Sequence, residues 1–225
     1  LLTEGVHVIC FDNFDSFYDP NIKIKNVGGL VRKFPGQFEL VAGDIRNREQ
    51  LQEAFKKTRI DLVVHLAARA GVRPSITDPL LYQDVNIRGP IVLLENCRES
   101  GIKDFIFASS SSVYGESRKV PFSEEDLDTQ PISPYGATKR AGELLCYSYH
   151  HLHGMNIACL RIFTAYGPRQ RPEMAIHKFT RLIDQGGKIP MYGDGSSRRD
   201  YTYIDDLIEG ILAAIHRHQG FEIYN

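Results

Sequence analysis

Short, almost uninterrupted apolar runs alternate with helical patterns along most of this chain, and no other feature limits its fold so strongly. Val6 to Phe11 reads as a strand closed by Asp12. Phe38 to Ala42 reads as a second, closed by Gly43-Asp44 and followed by a helix from about Arg48 to Lys57. Leu62 to Leu66 is a third strand, Pro79 to Ser100 a long helix stopped by Gly101, and Phe105 to Ala108 a fourth strand. Pro134 to His153 forms another long helix, and Ile157 to Ile162 a fifth strand. Strands that are apolar at nearly every position are buried on both faces, as in parallel sheets. Their alternation with helices predicts an α/β chain built on a doubly wound parallel sheet.

The composition changes after Tyr166-Gly167-Pro168, where Arg, Pro and Gly dominate. A helix over about Ala175 to Gln185, a short strand at Lys188 to Tyr192 and a Gly193-Asp194-Gly195 turn are expected to form a smaller, incomplete lobe. Asp205 to Arg217 is helical again, and Phe221 to Tyr224 is a last strand returning to the main sheet. The expected division is 1–166 for the main domain, 167–204 for the lobe and 205–225 for the return. Leu1-Leu2-Thr3-Glu4-Gly5 reads as a helix tail with its glycine stop, with no initiator Met and no signal peptide before it.

A net charge of −1 over 225 residues gives no basic surface for nucleic acid, and no apolar run approaches the roughly 20 residues that cross a bilayer. Cys10, Cys97, Cys146 and Cys159 are scattered without a Cys-x-x-Cys, so they read as reduced thiols of a cytoplasmic protein. His150, His151 and His153 read as the polar end of a helix before Gly154, not as metal ligands.

Ligands of such sheets lie at the carboxyl ends of the strands. Asp12 closes the first strand, where a carboxylate accepts hydrogen bonds from an adenosine ribose and disfavours a 2′-phosphate. Asn13, Phe14 and Asp15 follow without an arginine, so NAD is favoured over NADP. The glycine-rich phosphate turn should precede such an acid by about 20 residues. That falls before residue 1, so the chain is expected to lack its first strand and pyrophosphate loop. In Gly43-Asp44-Ile45 the carboxylate suits either an adenine amino group or a helix N-cap. After His65 and Leu66, the small side chains of Ala67 and Ala68 either let a dinucleotide approach the backbone or simply pack tightly. Asn86, a poor helix former in an apolar context, points to a buried hydrogen-bonding role.

Tyr135 and Lys139 are four residues apart in Ser133-Pro134-Tyr135-Gly136-Ala137-Thr138-Lys139, and Ser109 to Ser112 lie one βα unit upstream. On a helix the phenol and ammonium share one face. With a serine hydroxyl they form a proton-transfer device for alcohol–ketone chemistry on a nicotinamide cofactor. Chance alone predicts about half a Tyr-x-x-x-Lys match from this composition, so the context has to carry the reading.

That context is Val-Val-His-Leu-Ala-Ala, Ser-Ser-Ser-Ser-Val-Tyr-Gly, Tyr-Gly-Ala-Thr-Lys and Arg-Arg-Asp-Tyr-Thr-Tyr-Ile-Asp-Asp, in that order. The set resembles the extended short-chain dehydrogenase/reductase family, with its Rossmann-like domain, and within it the nucleotide-sugar epimerases and dehydratases. The resemblance runs from Gly5 to Asn225. It implies Tyr135 as catalytic base, Lys139 as its electrostatic partner on the nicotinamide ribose, and Ser110 as the catalytic hydroxyl. It implies a structural or active-site role for Asn86, adenosine contacts for Asp12 and Asp44, and a grip on the substrate diphosphate for Arg199.

A free phenol has a pKa of about 10, so acting as a base near neutrality requires roughly 3 units of lowering, about 4 kcal/mol. A lysine one turn away and a positive nicotinamide ring would supply it.

In similar 4,6-dehydratases two carboxylates follow the catalytic hydroxyl; here Ser111 and Ser112 stand there, which argues for epimerisation alone. Arg171-Pro172-Glu173-Met174-Ala175 resembles a segment of UDP-glucuronate 4-epimerases. Arg171 suits a sugar carboxylate, helped by Thr164 and the serine hydroxyls, or else is a solvated loop arginine. By the same resemblance Ala175, Ile176, Phe179, Met191 and Tyr192 line a uridine pocket, although such side chains serve equally as core.

The leading reading is NAD-dependent 4-epimerisation of a UDP-sugar, most closely UDP-glucuronate to UDP-galacturonate. A UDP-glucose or UDP-N-acetylglucosamine 4-epimerase is the enzymatic alternative, and a non-catalytic dinucleotide-binding protein the alternative of a different class. The resemblance also implies a homodimer through the Pro79–Ser100 and Pro134–His153 helices.

Overall fold

The computed structural model describes residues 1–126, 129–191, 193–196 and 198–225. Strands β1 (Val8–Asp12) and β2 (Phe38–Ala42) pair in parallel, joined by α1 (Pro20–Lys33). Helix α2 (Arg48–Lys56) leads to β3 (Leu62–His65). Helices α3 (Val72–Thr77), α4 (Pro79–Gln83) and α5 (Gly89–Glu99) then lead to β4 (Asp104–Ser110). Helix α6 (Pro134–His153) crosses to β5 (Asn156–Ile162), followed by the short β6 (Thr164–Tyr166) and α7 (Ala175–Asp184). Strand β7 (Tyr201–Tyr203), α8 (Ile204–Arg217) and β8 (Phe221–Tyr224) complete the chain.

All strand pairs are parallel, as the apolar runs predicted. They form three hydrogen-bonded sets: β1–β2, β3–β4–β5–β8, and β6–β7. Strands β4 and β5 are the buried centre, with Phe105, Ile106, Ile157 and Cys159 all at 0% exposure, whereas every residue of β1 is only half-buried. Hydrophobic burial therefore concentrates on the two strands that carry the site. One face packs Phe105, Phe107, Ile157 and Cys159 against Leu94 and Cys146. The opposite face packs Ile106, Ala158 and Leu160 against Ile211 and Ala214 of α8. Cys97, Cys146 and Cys159 are buried free thiols and Cys10 is half-buried.

Helix α6 is bounded as its sequence requires. The Ser133 hydroxyl accepts from the Gly136 N–H at 3.1 Å, Pro134 opens the first turn, and Gly154 closes the helix in a left-handed conformation.

Two expectations are modified, and one helix is new. The helix expected over Pro79 to Ser100 contains a π-turn, Asp84–Arg88, between α4 and α5. Pro90 has no N–H to continue the regular ladder, and the wider turn points Asn86 inward. No strand forms at 188–191, while Tyr192 lies outside the described residues. Gly186-Gly187 and Pro190 disfavour a strand there, and no partner strand offers a ladder among the described residues. Helix α1 carries little helical periodicity in its sequence because Gly28-Gly29 interrupts it, although Asp19-Pro20 caps its start.

Candidate active site

The carboxyl end of β4 runs into Ser110 and then a 3₁₀ turn, Ser111–Tyr114. The Ser110 hydroxyl accepts from the Ser112 N–H at 3.2 Å. The first turn of α6 lies directly against this turn, and only glycine allows it: a Cβ on Gly136 would sit 2.6 Å from the Ser112 carbonyl oxygen. Tyr135 is thereby brought to Ser110, whose side-chain hydrogen bond draws the phenol's pKa down.

Lys139 is 4% exposed, and its Nζ donates to the Ala108 carbonyl at 2.6 Å and lies 5.2 Å from the Phe107 ring centroid. Burial pushes its ammonium down to about 8. His65, also buried, is pushed down to about 3 by burial and then by the Lys139 charge, so its ring is neutral at pH 7.

Burial pushes the Tyr135 phenol above its usual pKa, and what pulls it back is the Ser110 hydrogen bond and the Arg171 charge. Lys139 lies one helical turn from Tyr135, with its ammonium donating to a strand carbonyl. Tyr82 meets Tyr135 edge to face at 6.2 Å and is itself fixed by donating to the Ala70 carbonyl at 2.7 Å.

Arg171 reaches the site from the loop before α7. Its Nη1 lies 3.1 Å from a Glu173 carboxylate oxygen, and its guanidinium stands 5.8 Å from the Phe17 ring. Arg69, paired with Asp15, stands 4.8 Å from the same ring. Phe17 was not marked by the sequence patterns.

Asn86 is 2% exposed, and its amide is fully used. It accepts from the Arg69 N–H at 2.7 Å and donates to the Arg69 carbonyl at 2.9 Å and the Thr138 hydroxyl at 3.1 Å. It ties the loop after β3 to α6, in keeping with the expected buried role.

A second cluster occupies the ends of β1 and β2. The Asp12 carboxylate accepts from the Phe14 N–H at 2.7 Å and from Lys23 at 3.1 Å, and the Asn13 amide donates to Asp44 at 2.9 Å. Hydrogen bonds from the Arg46 side chain hold Asp44 well below the usual carboxylate range. The helix N-cap is Asn47, which accepts from the Gln50 N–H, so Asp44 does not have that role. Ile45 is buried. Leu66 is 57% exposed and Ala67 exposed, with Ala68 half-buried, so tight packing does not explain these residues. A carboxylate at one strand end and an open edge with the small Ala67 and Ala68 at another suit a dinucleotide; no group of three metal-ligating side chains forms among the described residues.

Ser111, Ser112 and Thr164 are half-buried, as are Ala175, Ile176 and Phe179 around α7. Met191 is 71% exposed, and the exposed Arg199 donates to the carbonyl of Arg198. Among the described residues no hydrogen bond or ion pair joins either to Tyr135, Lys139 or Ser110. Glu143 and Arg161 form a buried pair beneath the site that no sequence motif marks; an arginine inside the apolar Ile157 to Ile162 run is its one visible signal.

A parallel α/β sheet with a Tyr–Lys–Ser set at the end of its central strand defines a nicotinamide-dependent short-chain class of enzyme. A model of the NAD dependent epimerase/dehydratase family matches residues 1–225, and the chain belongs to that family. It is 42% identical over 225 residues to a UDP-glucuronate 4-epimerase of Thermodesulfobacterium geofontis, covering 100% of this chain and 68% of that protein. It is 44% identical over 219 residues to UDP-glucuronate 4-epimerase 4 of Arabidopsis thaliana, covering 96% of this chain and 49% of that one. The crystal structure of a UDP-glucuronic acid 4-epimerase from Bacillus cereus, in complex with UDP-glucuronic acid and NAD, superposes with a TM-score of 0.89 at 39% identity. That match covers 99% of this chain and 69% of the other. The chain thus spans between about half and two thirds of its relatives' length.

Proposed function

We propose that this chain catalyses NAD-dependent 4-epimerisation of a UDP-sugar, converting UDP-glucuronate to UDP-galacturonate. The observation that carries the proposal is the seating of the first turn of α6, with Tyr135, directly on the turn that follows Ser110, where the Gly136 position lies against the Ser112 carbonyl. Tyr135 takes the proton of the sugar 4-hydroxyl, and Ser110 holds the same oxygen as it becomes a carbonyl. Bound NAD would supply the hydride acceptor, and then the donor, at C4, with the 4-keto sugar turning over in the site between the two transfers. The proton then comes back from Tyr135, so neither proton nor hydride is consumed in a cycle.

Lys139 supplies buried positive charge one turn from Tyr135. Asp12, Asn13, Asp44, Ile45 and the Leu66-Ala67-Ala68 edge hold the cofactor, and Asn86 shapes that edge through Arg69. Ser111, Ser112 and Thr164 offer hydroxyls to the sugar, and Arg171 grips its carboxylate by a forked pair of hydrogen bonds. Ala175, Ile176, Phe179, Met191, Tyr192 and Arg199 serve the uridine diphosphate.

Helix α6 leaves Leu144, Tyr147 and Leu152 at 55%, 53% and 70% exposure along one side, and Leu80 of α4 at 77%. This apolar stripe supports a homodimer. No helix of the described residues is long and apolar enough to cross a membrane, and scattered free thiols support a cytoplasmic setting.

The test is incubation with UDP-glucuronate and NAD⁺, with UDP-glucose in parallel, and chromatography of the products. UDP-galacturonate from the acid alone is expected, with KM raised in Arg171→Ala. Conversion of only the neutral sugar would move the assignment to a glucose epimerase, and an unchanged affinity of Arg171→Ala would remove the carboxylate role.

A further inference from the structure

Tyr135, Lys139 and Glu143 follow one another at four-residue intervals on α6, so all three lie on one helix face. Each is tied to one of three consecutive residues at the end of β4. Ser110 acts on Tyr135, the Ala108 carbonyl receives Lys139, and the Ser109 hydroxyl donates to Glu143 at 2.6 Å. The third tie is the strongest. Glu143 is 1% exposed and accepts hydrogen bonds from four donors. Besides Ser109 these are Arg140 at 2.7 Å and Arg161 through Nε and Nη2, both at 2.9 Å. Arg161, also 1% exposed, uses its remaining nitrogen to donate to the Tyr114 hydroxyl at 2.8 Å, in the 3₁₀ turn that follows Ser110. One carboxylate therefore joins α6, β4, β5 and the serine turn.

We propose that Glu143 is a positioning residue for the reaction: through Ser109 and Arg161 it fixes the register of α6 on β4, and so the approach of Tyr135 to Ser110. This rests on the epimerase reading for the reaction it serves, though not on which sugar is used. Two turns of rigid helix carry the constraint from Glu143 to Tyr135. A shift of about 1 Å at the reacting groups costs on the order of 100-fold in rate, while groups that bind the nucleotide elsewhere are left in place. The charged and titratable groups around Glu143 are Arg140 on its own helix, Arg161 and Cys159 on β5, and Tyr114 on the turn. Those around Tyr135 are Lys139 one turn along the same helix, Tyr82 and Arg171, with the Ser110 hydroxyl as its hydrogen-bond partner.

The experiment compares Glu143→Gln and Ser109→Ala with the wild-type full chain, measuring kcat, KM and the pH profile of kcat on whichever UDP-sugar the wild type converts. Wild-type turnover by itself tests the epimerase reading; the ratio of variant to wild type tests Glu143. Glu143→Gln is expected to lower kcat by about 10–100-fold with KM within about twofold. The acid limb of the profile should move to higher pH, since a weakened Ser110 bond raises the Tyr135 pKa. Ser109→Ala should change the same quantities in the same direction, by about threefold in kcat. A Glu143→Gln protein that is less stable but keeps kcat and the acid limb would overturn the proposal. Should that variant not fold, Ser109→Ala decides the matter alone, and an unchanged kcat and limb there would overturn it equally.

Discussion

Replacing Lys139 with methionine should stabilise the fold while it removes the activity. The wild-type ammonium is 4% exposed, and burial pushes it from 10.5 down to about 8. A depression of about 2.5 units corresponds to about 3.4 kcal/mol of penalty on the charged form. The variant loses a charged hydrogen bond to the Ala108 carbonyl, about 1.5–3 kcal/mol. A net gain of about 1 kcal/mol at pH 7 follows, or roughly 2–4 °C in Tm for a chain of this size.

The pH dependence tests the cause. Below pH 8 the lysine is protonated in both the folded and unfolded states, so the penalty is fully present. Between about 8 and 10.5 the unfolded chain binds more protons than the folded one, and wild-type stability rises with pH. The advantage of Lys139→Met should therefore be greatest below pH 8 and shrink towards pH 10.5. Urea denaturation of both proteins at pH 7 and pH 9.5, with turnover measured at pH 7, gives the comparison. A stability difference that stays constant over this range would refute the buried-charge argument, whatever its sign.

Two further outcomes are expected. Asn86→Ala strands the backbone groups of Arg69 and the Thr138 hydroxyl in a buried place, and should cost about 2–3 kcal/mol in urea denaturation; a loss below about 0.5 kcal/mol would mean that water replaces the amide. Leu144→Asp, on the exposed side of α6, should convert the proposed dimer to a monomer in light scattering with little change in monomer stability; an unchanged mass would place any interface elsewhere.

What the sequence revealed was local. The parallel strands of the centre are written as apolar runs, and Ser133-Pro134 and Gly154 mark the ends of α6 through interactions within a single turn. The spacing of Tyr135 and Lys139 is likewise a property of one helix. The misread segments depend on partners far along the chain. Residues 188–191 have apolar Ile189 and Met191 in alternation, but Pro190 interrupts them and no ladder awaits them among the described residues. Asn86 looked important without showing why, since its partners are 17 and 52 residues away. The hydrogen-bond partner of Lys139 is a backbone carbonyl, which has no residue type to betray it in the sequence.

The same distinction explains how α6 can hold a catalytic face at all. Lys139, if charged, works against folding, and burial opposes the phenolate of Tyr135. Neither group can be what secures the helix to the sheet. Burial alone would also raise Glu143, but hydrogen bonds from Arg161, Ser109 and Arg140 together hold it below the ordinary carboxylate value. It is the only buried acid among the described residues, facing a buried arginine in a two-pronged pair. A pair so enclosed is worth most through what breaking it would cost, because an unpartnered buried charge would remain. The anchoring contact thus lies one turn beyond the reactive ones, which lets Tyr135 and Lys139 keep environments that a helix relying on them for stability could not tolerate.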